Sequence, residues 1–405
     1  MRDTDLFQMA LGLAPPWMVA HSAFDPEAKR LDIHIDFPRG SKFACPACGA
    51  AGCPAHDTEE MSWRHLSFFQ YDAFLHARVP RVRCAQCGVK RVLVPWARPG
   101  SGFTLLFEAL IMVLVAAMPV NAVARHVGEH DTRLWRIIHH YVDEARRRAD
   151  YSDVTRVAFD ETASRRGHNY VTLFVDLDRA RVLFATEGKD AATVKAFADD
   201  LTQHGGSPEA VTEVCIDMSP AFISGAAEHL PEADITFDKF HAVQIVNEAV
   251  DQVRRAEQKD RKDLLAKTRY IWLKNPENLS AKQRSHLESL TGHNLKTARA
   301  YQIRLTFQDM FNQPDRTSAE AFLKKWYFWA THSRLEPIKE AARTVKRHWD
   351  GILRWFDTKI ANGLLEGINS LVQAAKAKAR GYRTNRNLCA MIYLIAGKLE
   401  LQLPT

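Results

Sequence analysis

The sequence is poor in cysteine for its size, with seven in 405 residues. That excludes a disulfide-built scaffold, which needs far denser crosslinks. A long unbroken apolar run is also missing. The most apolar stretch, Phe103 to Met118, contains Glu108 and falls short of the roughly 20 residues a membrane-spanning helix requires. The first residues, MRDTDLFQMALGLAPPWMVAHS, are interrupted by Asp5, Gln8 and Pro15-Pro16, which excludes the apolar core of a secretory leader. No internal repeat and no low-complexity tract occurs, so a solenoid or fibrous chain is excluded. Neither sign of charge dominates: 55 Lys and Arg against 48 Asp and Glu leave +7. That balance permits an anionic partner without demanding one. The expectation is a cytoplasmic protein without membrane attachment, built from two to four units at roughly 100–200 residues each.

What is present begins with the cysteines. Cys45-Pro-Ala-Cys48-Gly and Cys84-Ala-Gln-Cys87-Gly are near-identical knuckles. Each sets two thiolates on a tight turn whose glycine lets the backbone fold back. Four thiolates complete a tetrahedral Zn2+ shell, so this site is structural and has no open position for chemistry. Cys53 and His56 are spare ligands; Cys215 and Cys389 lie in apolar runs as packing residues. Short strands such as LDIHIDF, and RVRC after Pro80, surround the knuckles. Arg78, Arg81, Arg83, Lys90 and Arg91 flank the second one as candidates for phosphate contact.

Residues 103–149 read as three helices: Thr104 to Ala117, then VNAVARHV after Pro119, then RLWRIIHHYVDEARRR capped by Asp131 or Thr132. Residues 119–148 have the length and turn of a helix-turn-helix, which would set Arg133 and Arg136 at a major groove. A plain connecting bundle has the same pattern. From Thr155 the period changes. Three strand-like runs, a helix, a strand, a helix and a fifth strand make a mixed α/β sheet. After Phe240 long amphipathic stretches follow over 241–268, 280–312, 318–330 and 335–356, and a last block runs from Asn362 through Ala396.

Three strands end in aspartate: Asp160 in VAFDE, Asp217 in VCIDMS and Asp238 in ITFDKFH, while Asp176 lies inside another. Singly, such residues are caps or turn formers. On neighbouring strands they suggest a shared metal site, because clustered carboxylates need a cation to offset their repulsion. Mg2+ or Mn2+ takes hard oxygen ligands, and two or three carboxylates suffice. A pair of such ions stabilises the attacking and leaving oxygens of a phosphodiester. The pattern leaves open which aspartates are ligands and where a third carboxylate comes from.

The knuckles, the helix-turn-helix, VAFDETASRRGHNY, VCIDMSPAF, DKFH and NGLLEGINSLVQAAKAKARGYRTNRN occur in this order over nearly the whole chain. In that combination the sequence resembles the ISL-three family of bacterial insertion-sequence transposases. The resemblance implies an RNase H-like mixed-sheet core carrying an Asp-Asp-Glu triad: Asp160, Asp217 and Glu366, the last on a C-terminal helix packed back against the sheet. It implies a multidomain α/β plus α chain. The zinc-binding domain takes 1–98, the helix-turn-helix domain 99–150, and the first part of the core 151–240. An all-helical insertion takes 241–356, and 357–405 returns to the core. Asp238 and His241 of DKFH would orient DNA or water, and Glu161 points to the opposite strand face. After Glu366, Asn369, Lys376, Lys378, Arg380, Arg383 and Arg386 are candidates for a backbone clamp on DNA. The implied partner is double-stranded DNA, both transposon ends and target, bound by a homo-oligomer. The implied reaction is hydrolysis at the element's end followed by attack of the freed 3′-hydroxyl on target DNA. A domesticated DNA-binding regulator without catalysis, and a nuclease of the same fold without strand transfer, are the competing readings.

Overall fold

The structure is a computed structural model and describes residues 2–165, 167, 169–360 and 363–404. Asn362, read as the start of the last helical block, lies outside the described residues, as do Arg166 and His168 of the first motif. Contacts divide the chain into two compact units. One runs from the N-terminus through Ala145 and takes in the residues from Glu400; the other spans Arg146–Leu399.

In the first unit six strands form one sheet: β1 (Met18–Asp25), β2 (Arg30–Asp36), β3 (Lys42–Phe43), β4 (Cys53–Arg64), β5 (Asp72–Cys84) and β6 (Gly88–Arg91). Their order is β1-β2-β5-β4-β3, with β6 also paired to β5. The run LDIHIDF is β2, and its period of two buries Leu31, Ile33 and Ile35 against Leu75, Trp63 and Trp96. Pro80 does not start a strand, as the sequence suggests, but sits inside β5. Its carbonyl faces the side on which β2 pairs only as far as Ala77 and β6 only from Arg81. The missing N–H therefore falls in a gap between two partner strands, where the ladder needs no donor.

Helices Leu105–Ala117, Val120–Val127 and Asp131–Arg147 follow. The Thr104 hydroxyl caps the first by accepting from the Phe107 N–H, and Gly128 closes the second at φ 70°. Leu134, Ile137, Ile138 and Tyr141 are all buried, as their helical spacing predicts. Glu108, the charge that interrupts the apolar run, is fully buried. Its carboxylate accepts from Arg98 Nε at 2.9 Å, Ser101 Oγ at 2.6 Å and Tyr141 OH at 3.1 Å. Such satisfaction is what lets a charge sit in a helical core.

The second unit is built on β7 (Arg156–Arg165), β8 (Asn169–Asp176), β9 (Arg181–Glu187), β10 (Glu213–Ile216) and β11 (Asp234–Phe237), ordered β11-β10-β7-β8-β9. The first three form an antiparallel meander. Then β10 runs parallel to β7 and β11 parallel to β10, reached through helices Ala191–Gln203 and Pro220–His229. Phe159, Phe174, Phe197 and Phe222 stack beneath this mixed sheet at centroid separations of 4.5–5.2 Å.

From Lys239 the chain is helical, and the long amphipathic stretches are broken more often than the pattern suggests. The segment read as 280–312 divides into Ala281–Thr291 and Lys296–Asp309. The second start is capped from afar: the Glu257 carboxylate accepts from the backbone N–H of Lys296 and of Thr297, each at 2.8 Å. These helices share one continuous buried core with the sheet, through Val246, Trp272, Phe307 and Trp326. Helices Gly363–Ala379 and Asn385–Ala396 close the unit. Among the described residues no helix is long and apolar enough to cross a membrane.

Candidate active site and zinc centre

Strand register assembles the acids. Cys215 of β10 pairs with Ala158 of β7, and Ile216 pairs with Phe237 of β11. Continuing both registers sets Asp160 beside Asp217 and Asp238, which lie just past the carboxyl ends of β10 and β11, where open sheets form their crevices. Asp160 does not end its strand, as the apolar run suggests: β7 continues through it to Arg165, held by its pairing with β8. The Asp238 backbone N–H bonds to the Ile216 carbonyl at 3.1 Å, which holds the row together.

Each carboxylate is oriented. Asp160 Oδ1 accepts from the Glu161 backbone N–H at 2.8 Å, and its Oδ2 accepts from Asn369 Nδ2 at 3.1 Å. Asp217 Oδ1 accepts from the Ser219 N–H at 2.9 Å, ahead of the Pro220–His229 helix. Asp238 is 2% exposed and caps the Lys239–Glu257 helix through the Phe240 N–H; its Oδ2 lies 3.1 Å from His241 Nδ1. Those two atoms form an ion-pair contact without good hydrogen-bond angles, and neither has another partner among the described residues.

Electrostatics tie the group into one site. Burial raises the Asp160 pKa above the ordinary carboxylate value, and the charges of Asp217 and Asp238 raise it further. The His241 pKa is raised by its Asp238 partner first, then by the field of Asp160 and Asp217. Glu161 is raised by burial and next by Asp217; Lys189, 3.9 Å away, opposes the shift. The sequence pattern sets Glu161 on the other strand face, yet it feels the same acid row.

Glu366 is exposed on the first turn of the Gly363–Ala379 helix, three residues before Asn369. Residues so spaced share a helix face. The helix presents that face to β7: Asn369 reaches Asp160, Gln373 Nε2 reaches Thr162 Oγ1 at 2.7 Å, and Lys376 Nζ reaches the Ala163 carbonyl at 2.5 Å. The acids do not close into a finished ligand shell. Among the described residues, only Cys45, Cys48, Cys84 and Cys87 form a group of three or more potential ligands within 4.8 Å of one another.

The cysteine group fits zinc. Cys48 Sγ and Cys84 Sγ are 3.6 Å apart, near the separation that Zn–S bonds of about 2.3 Å set between tetrahedral ligands. Gly49 and Gly88, which follow the knuckles, have φ of 74° and 71°, where a side chain would be strained. Backbone N–H groups of Cys87 and Gln86 bring the Cys84 thiol down to about 6, toward the thiolate a metal requires. Cys53 and His56 stay outside this group: Cys53 donates to the Ala50 carbonyl and His56 faces Arg83.

The basic residues divide. Arg78, Arg81 and Arg91 beside the second knuckle are paired with Asp36, Asp57 and Glu59 within the sheet. Arg133 turns back onto Glu129 and the Phe103 ring, while Arg136 is exposed. Lys378, Arg380, Arg383 and Arg386 are exposed; Asn369 and Lys376 are engaged with β7. Sequence reading missed Gln373, although its spacing from Asn369 and Lys376 on one helix face was the available signal.

A thiolate metal site, a trio of helices and a row of carboxylates at the mouth of a mixed sheet are the parts of an enzyme that acts on nucleic acid. The family is then specific. The transposase model of the ISL3 family matches residues 157–392, its helix-turn-helix model 92–142, and the zinc-finger model of IS204/IS1001/IS1096/IS1165 transposases 41–87. The chain belongs to the ISL3 family of transposases. It is 27% identical to the transposase for insertion sequence element IS1557 of Mycobacterium tuberculosis over 434 residues, 97% of this chain and 96% of that relative. It is 29% identical to the transposase for IS1001 of Bordetella parapertussis over 374 residues, 89% of each.

Proposed function

We propose that this chain is the DNA transposase of an insertion sequence, acting through Asp160, Asp217 and Glu366 on an RNase H-like core. The observation that carries the reading is the in-register aspartate row together with the helix face that sets Glu366 one turn from the Asn369–Asp160 contact. A three-strand meander extended by two parallel crossover strands supports that core. So does the full-length relation to insertion-element transposases.

The donor set fits a divalent cation. Burial, with the charges of Asp217 and Asp238, presses Asp160 toward protonation, and the buried Asn369 Oδ1 has no hydrogen-bond partner among the described residues. Asp160, Asp217 and Glu366 would hold Mg2+ or Mn2+, which when bound supplies positive charge opposite the transferring phosphoryl group. The protein's own part is placement. Asp160 and Asp217 present fixed oxygens from a rigid sheet edge. Glu366 approaches from a helix held against β7. His241, beside Asp238 at 3.1 Å, faces the same acids and would offer a ring N–H to a phosphate oxygen. No nucleophilic side chain is needed, because water and then a DNA 3′-hydroxyl attack phosphorus. The zinc module of 1–98 and the helix-turn-helix of 99–150, with Arg136, would read element ends. The exposed Lys378, Arg380, Arg383 and Arg386 would hold backbone phosphates. Joining two ends requires a homo-oligomer on DNA, and the work is cytoplasmic.

The test is strand transfer by wild type beside Asp160→Asn, Asp217→Asn and Glu366→Gln, supplied with Mg2+ and a pre-cut end, with DNA binding measured in parallel. Joining falls by about a hundred- to a thousandfold in each variant, the range seen when charge-stabilising groups are removed, while binding persists. Undiminished joining in any one variant removes that residue from the triad.

A further inference from the structure

We infer that Asn369 is a positioning residue for Asp160: its amide fixes the carboxylate in the orientation that receives a divalent cation. The inference rests on the metal-dependent reading above. Sequence alone places Asn369 among donors to DNA phosphates, but its side chain turns the other way, onto the strand.

Three observations carry it. First, Asp160 is held at both oxygens, by a backbone N–H on Oδ1 and by Asn369 Nδ2 on Oδ2. The backbone bond alone leaves the carboxylate a rotation; the second donor removes it. Second, the amide's orientation is dictated by chemistry. Turned round, Asn369 would set its carbonyl against a carboxylate, so the N–H must face Asp160. That choice leaves Asn369 Oδ1 buried without a hydrogen-bond partner among the described residues, a state ordinarily unfavourable for a polar atom. An orphaned neutral oxygen beside an acid row is a donor of the type divalent cations accept. Third, the grip is separable from helix docking. Gln373 and Lys376 already tie the helix to Thr162 and Ala163, so Asn369 is not needed merely to hold the helix.

The experiment uses the full-length, zinc-loaded protein without DNA and follows Mn2+ binding by loss of the free-ion paramagnetic resonance signal. Asn369→Ala and the similarly sized Asn369→Leu raise the Mn2+ dissociation constant about tenfold, the lower end for groups that orient a ligand. Gln373→Ala leaves it near wild type. Circular dichroism checks folding, and Asn369→Leu preserves volume should the alanine variant loosen the helix. Asp160→Asn separates the two levels of the argument. If it weakens Mn2+ binding and the Asn369 variants do not, the positioning role alone is overturned. An equal loss in Gln373→Ala overturns it too, in favour of docking. If Asp160→Asn leaves Mn2+ affinity untouched, the metal site itself falls and the inference with it.

Discussion

His65 sits beside the buried Arg64, with Nδ1 2.9 Å from the Thr104 hydroxyl. Burial, and then the Arg64 charge, bring its pKa down from 6.5 to about 4. The folded state thus resists a proton that the unfolded chain accepts. For a group lowered on folding, stability is complete above the unfolded value and is lost as pH falls from about 6.5 toward about 4. His34 is lowered in the same direction, by burial first and then by His21 and His76, which stack around it. The first unit should therefore unfold at lower denaturant concentration at pH 5 than at pH 7, and His65→Gln should flatten that dependence; an unchanged slope would refute the assignment. At this scale Asp217 and Asp238 were legible as acids that close an apolar strand; Asp160 has the same local pattern, yet β7 runs on past it to Arg165. Asn369 was not. Its meaning lies in a contact with Asp160 across 209 positions of sequence, and nothing local distinguishes it from a solvated helix residue.

Element boundaries follow the same division between local and distant causes. The Thr104 cap, the Gly128 stop and the apolar stripe of the Asp131–Arg147 helix are written within a turn of where they act, and the sequence reading comes within a residue or two of these boundaries, taking Thr104 into the first helix and Asp131 or Thr132 as the cap of the third. The strand through Pro80 and the break before Lys296 depend on remote partners, and sequence misread both. A proline is tolerated at Pro80 because of where β2 ends and β6 begins. The Lys296–Asp309 helix starts where it does because Glu257 accepts from two of its first N–H groups and from the Thr297 hydroxyl at 2.7 Å. A carboxylate there also meets the positive end of the helix dipole. Glu257→Ala should cost about 1–2 kcal/mol, the upper part of the range for a lost N-cap. The loss should appear as faster amide exchange at 296–300 and a lower unfolding midpoint. Exchange rates equal to wild type would show that the helix start is set by packing alone.

For the molecule as a whole, the thiolate group and the aspartate row belong to different compact units, each with its own buried core. The thiolates are placed by knuckle turns in the first unit, and the aspartates by the register of parallel strands β7, β10 and β11 in the second. The thiolates were legible from the C-x-x-C spacing; the aspartates, each closing or following an apolar run, were legible only as candidates. Glu366 entered the candidate site only through resemblance, because 148 residues separate it in the chain from Asp217. The division has a thermodynamic consequence. Structural zinc contributes about 10–16 kcal/mol to small zinc-binding folds, comparable to the whole stability of a domain. Chelation should therefore strip amide protection from β3, the start of β4, the end of β5 and β6. β1 and β2, which carry none of the four thiolates, should keep theirs through the packing of Trp17, Leu31, Ile33 and Trp63. The second unit should unfold at the same temperature with or without zinc, provided that no Mg2+ or Mn2+ is present in either sample. Cys84→Ser should reproduce the chelated pattern. A matching drop in the second transition would mean that the zinc site stabilises the catalytic unit as well, and that the two cores do not unfold independently.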